Sequence, residues 1–434
     1  MTGFMNVFHR LTVTALIVAL STNFVWFALT YFVYLQTQSV VSTGLAAGIY
    51  LVIVALSGFW FGSFVDRNKK KTAMFASSIA SLIFFTVGFL MYIFAPSGAF
   101  NSVTSPYLWI FASILLSGVI AGLIYFIAIP TLITSLVPEN RRDKANGLFS
   151  TATGFSFGVN SVASGIVLGF GGMFWVLVGG IVLTLLGIVY LAFIPVSEQK
   201  PAKSEVEKQE KNEVRGTINL IKSIPGLFAL IFFSTFNNLL GGVFFALMDA
   251  YGLELMSVQF WGILWGLLSP AFVVGGLVIA RKGLGKNPLR TLFLANIIIW
   301  GNAVFFAIQP SIILLSIGIT IWLGLFPVIQ ASEQTIIQKV VTQNFQGRVF
   351  GFSRSIEQSV APLTAFIIGP IAQLIFIPFM TTGSGVQLIG GWFGTGTGRG
   401  IALVFIIAGI IGLVVTLFAM RSKIYKLLAK RYLE

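Results

Sequence analysis

The chain has 434 residues, 56% of them hydrophobic and only 9% charged, with a net charge of +14 and no cysteine. An ordinary soluble domain carries about 25% charged residues, so this composition cannot build a water-exposed surface; a polytopic membrane protein remains. Without cysteine there are no disulfides and no thiolate metal sites. His9 is the single histidine, so no metal and no cofactor is expected.

A spanning helix needs about 20 mostly apolar residues. Twelve such stretches occur, at 11–34, 44–65, 73–95, 107–129, 146–169, 172–195, 225–248, 258–280, 290–308, 311–332, 349–376 and 400–420. The fold class is therefore all-α, with twelve transmembrane helices in two six-helix halves. The expected domains are 1–195, a linker at 196–223, 224–420 and a basic tail at 421–434. The first span lacks a small-residue cleavage site and is kept as mature structure.

Taken in chain order, the first inner loop follows span 2 and reads Gly62-Ser-Phe-Val-Asp66-Arg67-Asn-Lys69-Lys70-Lys71. Gly62 permits close helix approach, Asp66 sits where it can cap a helix or meet a cation, and the basic residues suit an anionic leaflet. Spans 4 and 5 are joined by Thr131 to Gly147. That stretch repeats 204 residues later as Thr335 to Gly351: Thr131/Thr335, Ile133/Ile337, Val137/Val341, Asn140/Asn344, Lys144/Arg348 and Gly147/Gly351 align without a gap. Repeated halves place a transport site at their interface. Span 5 carries Gly154 and Gly158 at small-residue spacing, which suits tight helix packing.

The segment 196–223 differs in composition, with Glu198, Glu205, Glu207, Glu210 and Glu213 among six basic residues, and reads as a solvated linker. Its end, Val214 to Ile224, and the tail, Arg421 to Arg431, have the character of amphipathic interfacial helices or of solvated charge. Pro130, Pro270, Pro327 and Pro362 are candidate kinks. The stretch from Phe379 to Arg399 is the longest outer loop.

Placing both termini in the cytoplasm puts 26 of the 27 Lys and Arg residues on that side, leaving only Arg399 outside. The excess of positive charge is thus a topological signal, and nucleic acid is not expected as a partner. No phosphate-binding G-x-x-x-x-G-K-[ST] run is present, which removes ATP as the energy source and leaves no enzyme signature.

Intramembrane acids are the functional candidates, because burying a charge in lipid is expensive. Asp249 ends span 7 and is the first choice for a proton-coupling group, since an apolar setting favours the protonated form of a carboxylate. Glu333 ends span 10. Glu357 lies two turns into span 11, with Arg354 three residues earlier on the same helical face as a candidate ion-pair partner.

The Gly62-x-x-x-Asp66-Arg67 loop resembles the G-x-x-x-D-R-x-x-R-K motif of the major facilitator superfamily. Gln346-Gly-Arg-Val-Phe350, Ala361-Pro362, Gly369-Pro370 and Gly394-Thr-Gly-Thr-Gly-Arg-Gly-Ile-Ala402 resemble its macrolide-exporter branch, as do Val137-Pro-Glu139 and Lys144-Ala-Asn-Gly147. The chain departs from that branch at Gln373 and at Ile377-Pro378, where many members carry Asp and Glu-Pro. It also lacks the proline after Gly158 that completes the antiporter motif.

The resemblance implies a bacterial cytoplasmic-membrane transporter, acting as a monomer, that exports amphipathic small molecules such as drugs or macrolides by alternating access and proton antiport. It implies that Gly62, Asp66, Arg67, Lys70 and Lys71 latch one conformation. It also implies that spans 1, 4, 7 and 10 line the cavity. These offer Asn23, Trp26 and Phe27; Tyr125 and Phe126; Asn237, Asn238, Phe244 and Phe245; and Trp322, Phe326 and Gln330. The alternative readings are a lipid or glycolipid flippase, a siderophore exporter of the same fold, and a non-transporting receptor. No sensing domain accompanies the last.

Overall fold

A computed structural model of the chain describes residues 2–37, 40–196, 198 and 213–433. All regular structure among them is helical: α1 (Thr2–Thr37), α2 (Val40–Arg67), α3 (Lys70–Phe94), α4 (Pro106–Ala121), α5 (Leu123–Leu136), α6 (Arg142–Ala192), α7 (Glu213–Ser223), α8 (Leu227–Leu255), α9 (Val258–Leu268), α10 (Pro270–Lys282), α11 (Pro288–Phe306), α12 (Ile312–Val340), α13 (Gln343–Ile371), α14 (Ile377–Thr381), α15 (Ser384–Leu388), α16 (Gly390–Phe393), α17 (Thr397–Arg421) and α18 (Lys423–Leu433). The linker acids Glu205, Glu207 and Glu210 lie outside the described residues.

Ten helical segments among the described residues are long and apolar enough to cross a bilayer. One of them contains α6, which runs 51 residues and breaks at Gly172, where φ of 71° and ψ of −179° leave the helical region. Only glycine takes that conformation without strain, so α6 supplies both the fifth and sixth spans. The eleventh span is α13, continued through a π-turn at Ala372–Phe376 into α14. The architecture is thus the expected all-helical one with twelve spans.

Span 4 is interrupted at Gly122, between α4 and α5, and Pro130 lies inside α5. Pro270 does mark a break, standing at the start of α10 where its missing N–H costs nothing. The loop expected between Phe379 and Arg399 is largely taken up by α14, α15 and α16. Both stretches of mixed charge and apolarity, α7 and α18, are helical.

The chain divides into two compact units. The first comprises Met1–Leu220 and also Ile337–Ser355, from late in the sequence; the second comprises Ile221–Ile336 and Ile356–Glu434. Within the first unit α1 packs along α6. Lipid tails give no hydrophobic drive between spans, so small residues and interhelical hydrogen bonds carry the association, at about 0.6 kcal/mol per bond on average. Ser21 donates to the Gly180 carbonyl (2.9 Å), Ser164 to Phe24 (3.0 Å) and Asn160 to Leu20 (2.9 Å). An aromatic cluster of Phe32, Tyr92, Phe100 and Phe111 fills the end of this unit near the α3–α4 loop. In the second unit α11 packs on α17, where a Cβ at Gly412 would collide with the ring of Trp300. Phe244 stacks on Phe405 at 4.7 Å. Large apolar side chains such as Phe94, Phe170 and Phe366 point outward, as lipid-facing residues must.

Candidate functional site

The site grows from four glycines. On α2, Gly58 and Gly62 stand one turn apart; on α13, Gly347 and Gly351 do the same. A Cβ on Gly62 would strike the Gly347 carbonyl, and one on Gly351 would strike the Gly58 carbonyl. The two backbones therefore touch, which only glycine on both sides allows. Only one glycine of this quartet, Gly62, belonged to the expected motif; the i, i+4 spacing of the other three was the signal for them.

This contact carries α2 past the start of α13 and places Asp66 one turn beyond Gly62. Asp66 is buried, at 3% exposure. Its Oδ1 accepts the Gly347 N–H and its Oδ2 the Arg348 N–H, each at 2.8 Å. The Lys70 ammonium lies 3.9 Å from Asp66 Oδ1 and donates to the Val65 carbonyl at 2.8 Å, closing the end of α2. Arg67 is half-buried beside it. Four of the expected latch residues, Gly62, Asp66, Lys70 and Arg67, are thus assembled at one crossing.

Lys71 does something different. Its Nζ donates to the Ile194 carbonyl (2.7 Å) and the Ala192 carbonyl (3.3 Å), at the end of α6. Glu198 returns the favour: its carboxylate accepts the N–H groups of Lys70 (2.5 Å) and Lys71 (2.8 Å) and caps α3. Read from the sequence as one of several solvated linker acids, Glu198 is instead a helix cap. No local pattern marks it, because the helix it caps begins 128 residues earlier.

The two repeated stretches meet in a second layer of the same unit. Gln338 and Asn146 exchange side-chain hydrogen bonds (2.8 and 3.3 Å), and Gln338 also donates to the Pro130 carbonyl at 2.7 Å. Thr134 donates to Gln346, whose amide closes the end of α12 through the carbonyls of Gln338 and Val341. Arg142 donates to the Thr134 carbonyl at 2.8 Å, and Lys339 pairs with Glu139 at 2.5 Å. Gln338, Gln346, Asn146 and Arg142 were not among the expected site residues. Their place within the two repeated stretches was the available hint.

The remaining candidates fall into two sets, one in each unit. In the first, Asn23 is half-buried and donates to Ser156 (3.3 Å); Trp26 leans on Tyr50 at 4.2 Å and Phe27 on Phe157 at 5.0 Å. Tyr125 is fully buried and donates to Thr14 at 2.5 Å, so it packs α5 on α1 and presents no surface. Its neighbour Phe126 is half-buried against Phe149.

In the second unit, Asn237 accepts the Trp300 indole N–H at 2.6 Å and is a packing residue, while Asn238 and Gln330 are half-buried. Phe244 is held in the Phe405 stack. Phe245, at 69% exposure, Trp322, Phe326 and Phe272 form a chain of ring contacts 5.6–5.8 Å apart.

Of the acids, Asp249 is exposed and accepts the Trp261 indole N–H at 2.9 Å. Glu333 is half-buried on α12 and accepts from Ser234 of α8 at 3.1 Å. Glu357 is half-buried on the part of α13 that belongs to the second unit. Among the described residues no cluster of three His, Cys, Asp or Glu side chains could hold a metal.

Residues 11–365 match the family model described as the Major Facilitator Superfamily. No curated protein matches the sequence. Solved structures share the fold. A bacterial homologue of the iron transporter ferroportin, in an outward-facing state, is 15% identical, with a TM-score of 0.68 over 96% of this chain and 100% of its own. The proton:xylose symporter XylE is 13% identical, with a TM-score of 0.66 over 97% and 96%. The human organic anion transporter MFSD10 is 12% identical, with a TM-score of 0.63 over 93% and 99%.

Proposed function

The chain belongs to the major facilitator superfamily of multi-pass membrane transporters, and on that premise we propose that it exports an amphipathic small molecule by alternating access in exchange for protons. The observation that carries the mechanism is the buried Asp66 carboxylate on the amides of α13, at a glycine-only crossing. On this reading the contact is a latch. It is made when the basic-loop end is shut and lost when that end opens, and each turnover breaks and remakes it. The second layer around Gln338 and Gln346 reinforces the same closure.

The chemistry of the substrate follows from what each unit offers. Phe245, Trp322 and Phe326 in one, and Trp26 and Phe27 in the other, are aromatic side chains left at least partly exposed. Aromatic surface with sparse polar groups suits an apolar body with a few hydrogen-bonding sites.

For the proton, Glu333 is better placed than Asp249. It bridges two helices through Ser234 at half exposure, so a relative shift of α8 and α12 changes its solvation, whereas Asp249 stands exposed. Accumulation of ethidium and macrolides in cells lacking other exporters, with and without an uncoupler, tests the proposal. Lower accumulation on expression, reversed by the uncoupler, is expected. Equal accumulation across a broad panel, alongside translocation of a labelled lipid in vesicles, replaces it with the flippase reading. Glu333→Gln is expected to abolish uphill export while sparing downhill flux; unchanged uphill export returns the role to Asp249 or Glu357.

A further inference from the structure

The last helix has a surface that transport does not use. α18 follows α17 with Ser422 alone between them, so it begins at the border of the membrane that α17 crosses. Ser422 turns the chain in extended geometry and its hydroxyl accepts the Ile424 N–H at 3.2 Å, starting the new helix. One face is then fixed to the second unit. The Tyr425 hydroxyl donates to the Ala229 carbonyl at 2.7 Å, and the ring meets Phe293 edge-on at 5.1 Å. Burial pushes the Tyr425 phenol well up from its usual range, so it stays a donor at all working pH values. Leu428 is fully buried against Gly226, whose φ of 83° brings the backbone close.

The rest of the helix is not satisfied by the protein. Ile424 and Leu427, three residues apart on one side, are 51% and 54% exposed. Beside them Lys423, Lys426, Lys430 and Arg431 are exposed, and Arg421 precedes them. Residues 421–433 hold five basic residues and no acid. In the same unit the α10–α11 loop adds exposed Arg281, Lys282, Lys286 and Arg290.

We propose that α18 is an interfacial helix that binds anionic phospholipid headgroups, with Ile424 and Leu427 seated among the upper acyl carbons and Lys423, Lys426 and Lys430 on the headgroups. Three things select this occupant: the single-residue connection to a membrane span, the one-sided charge, and apolar residues flanking it. A helix of this pattern binds through buried apolar area plus attraction to anionic lipid. The docked face sets its angle in advance, so no ordering cost opposes binding.

The chain has no cysteine, so Leu427→Cys gives a unique labelling site in the full-length protein. A fluorophore there is read in nanodiscs holding equal fractions of quencher-labelled phosphatidylglycerol or phosphatidylcholine. Quenching by phosphatidylglycerol is expected to exceed that by phosphatidylcholine. The excess should fall about fivefold for each basic residue removed in Lys426→Gln and Lys430→Gln, and should weaken with added salt. Both lysines face away from Tyr425 and Leu428, so the docked helix survives and the unfolding temperature in zwitterionic nanodiscs stays unchanged. Equal quenching by the two headgroups overturns the anionic site; no quenching by either shows that the helix stands clear of the bilayer.

Discussion

Asp66→Asn is the sharpest perturbation of the latch. The wild-type carboxylate accepts two backbone N–H groups at 2.8 Å in a buried setting. Hydrogen bonds to a charged group contribute about 1.5–3 kcal/mol each. An amide keeps one acceptor and turns an NH2 towards the second N–H, so one bond is lost and a buried donor is left without a partner. Against this, a neutral amide is cheaper to bury than a carboxylate. A net weakening of the latch by about 2–3 kcal/mol results, a shift of roughly 30- to 150-fold in the closed-to-open ratio.

A reporter is available at Ser355, which faces Gly58 across the crossing, is 8% exposed, and has a hydroxyl without a hydrogen-bond partner among the described residues. Ser355→Cys is the unique thiol in this chain, and its alkylation by a water-soluble maleimide reads opening directly. Adding Asp66→Asn should raise the alkylation rate by more than tenfold. A rate within twofold of the parent means that the carboxylate does not hold the crossing shut, and the latch is wrong.

Other outcomes follow from the same contacts. Gly62→Ala and Gly351→Ala should each open the crossing by the same maleimide measure and abolish export, because the added Cβ meets a backbone carbonyl; Gly169→Ala on α6, with open space around it, should leave both unchanged. Glu198→Gln should weaken the α3 cap by about 1–2 kcal/mol, seen as faster hydrogen exchange at the Lys70 and Lys71 amides; unchanged exchange removes Glu198 as their partner. Gly226→Ala places a side chain at φ of 83° and against Leu428. The left-handed conformation alone costs about 1–2 kcal/mol, so α18 should detach and become protease-sensitive while export persists; intact α18 in that variant contradicts the docking contact.

What could be read in the sequence was whatever repeats at short range or at one fixed offset. Span lengths, the basic loops and the Gly62–Lys71 motif are local patterns, and the structure builds an all-helical protein on them. The 204-residue repeat pointed to the stretches that hold Asn146, Gln338 and Gln346, without showing that their amides would meet. Glu198 was misjudged because a cap is a relation between distant residues, and composition alone made it look like solvated charge. Tyr125 was chosen for its residue type and its span. Which side of α5 it occupies depends on Gly122 and on the α1 contact through Thr14, and neither is a periodic signal. Pro130 sits inside α5, where Gln338 from late in the sequence donates to its carbonyl, another relation between distant residues.

The inclusion of Ile337–Ser355 in the first unit also bears on how the protein is made. Asp66 leaves the ribosome 281 residues before the Gly347 amide it binds. At about 5–20 residues per second the gap lasts some tens of seconds. From residue 196 onward the first six spans are complete, yet the Asp66 carboxylate and the Pro130 carbonyl still lack their late partners. Water at the bilayer border, or the insertion machinery itself, must serve those groups in the meantime. Synthesis of the loop between spans 10 and 11 is therefore the event that finishes the first unit, and a chain stopped before residue 347 should be cleared as an unfinished protein even though ten of its spans are inserted.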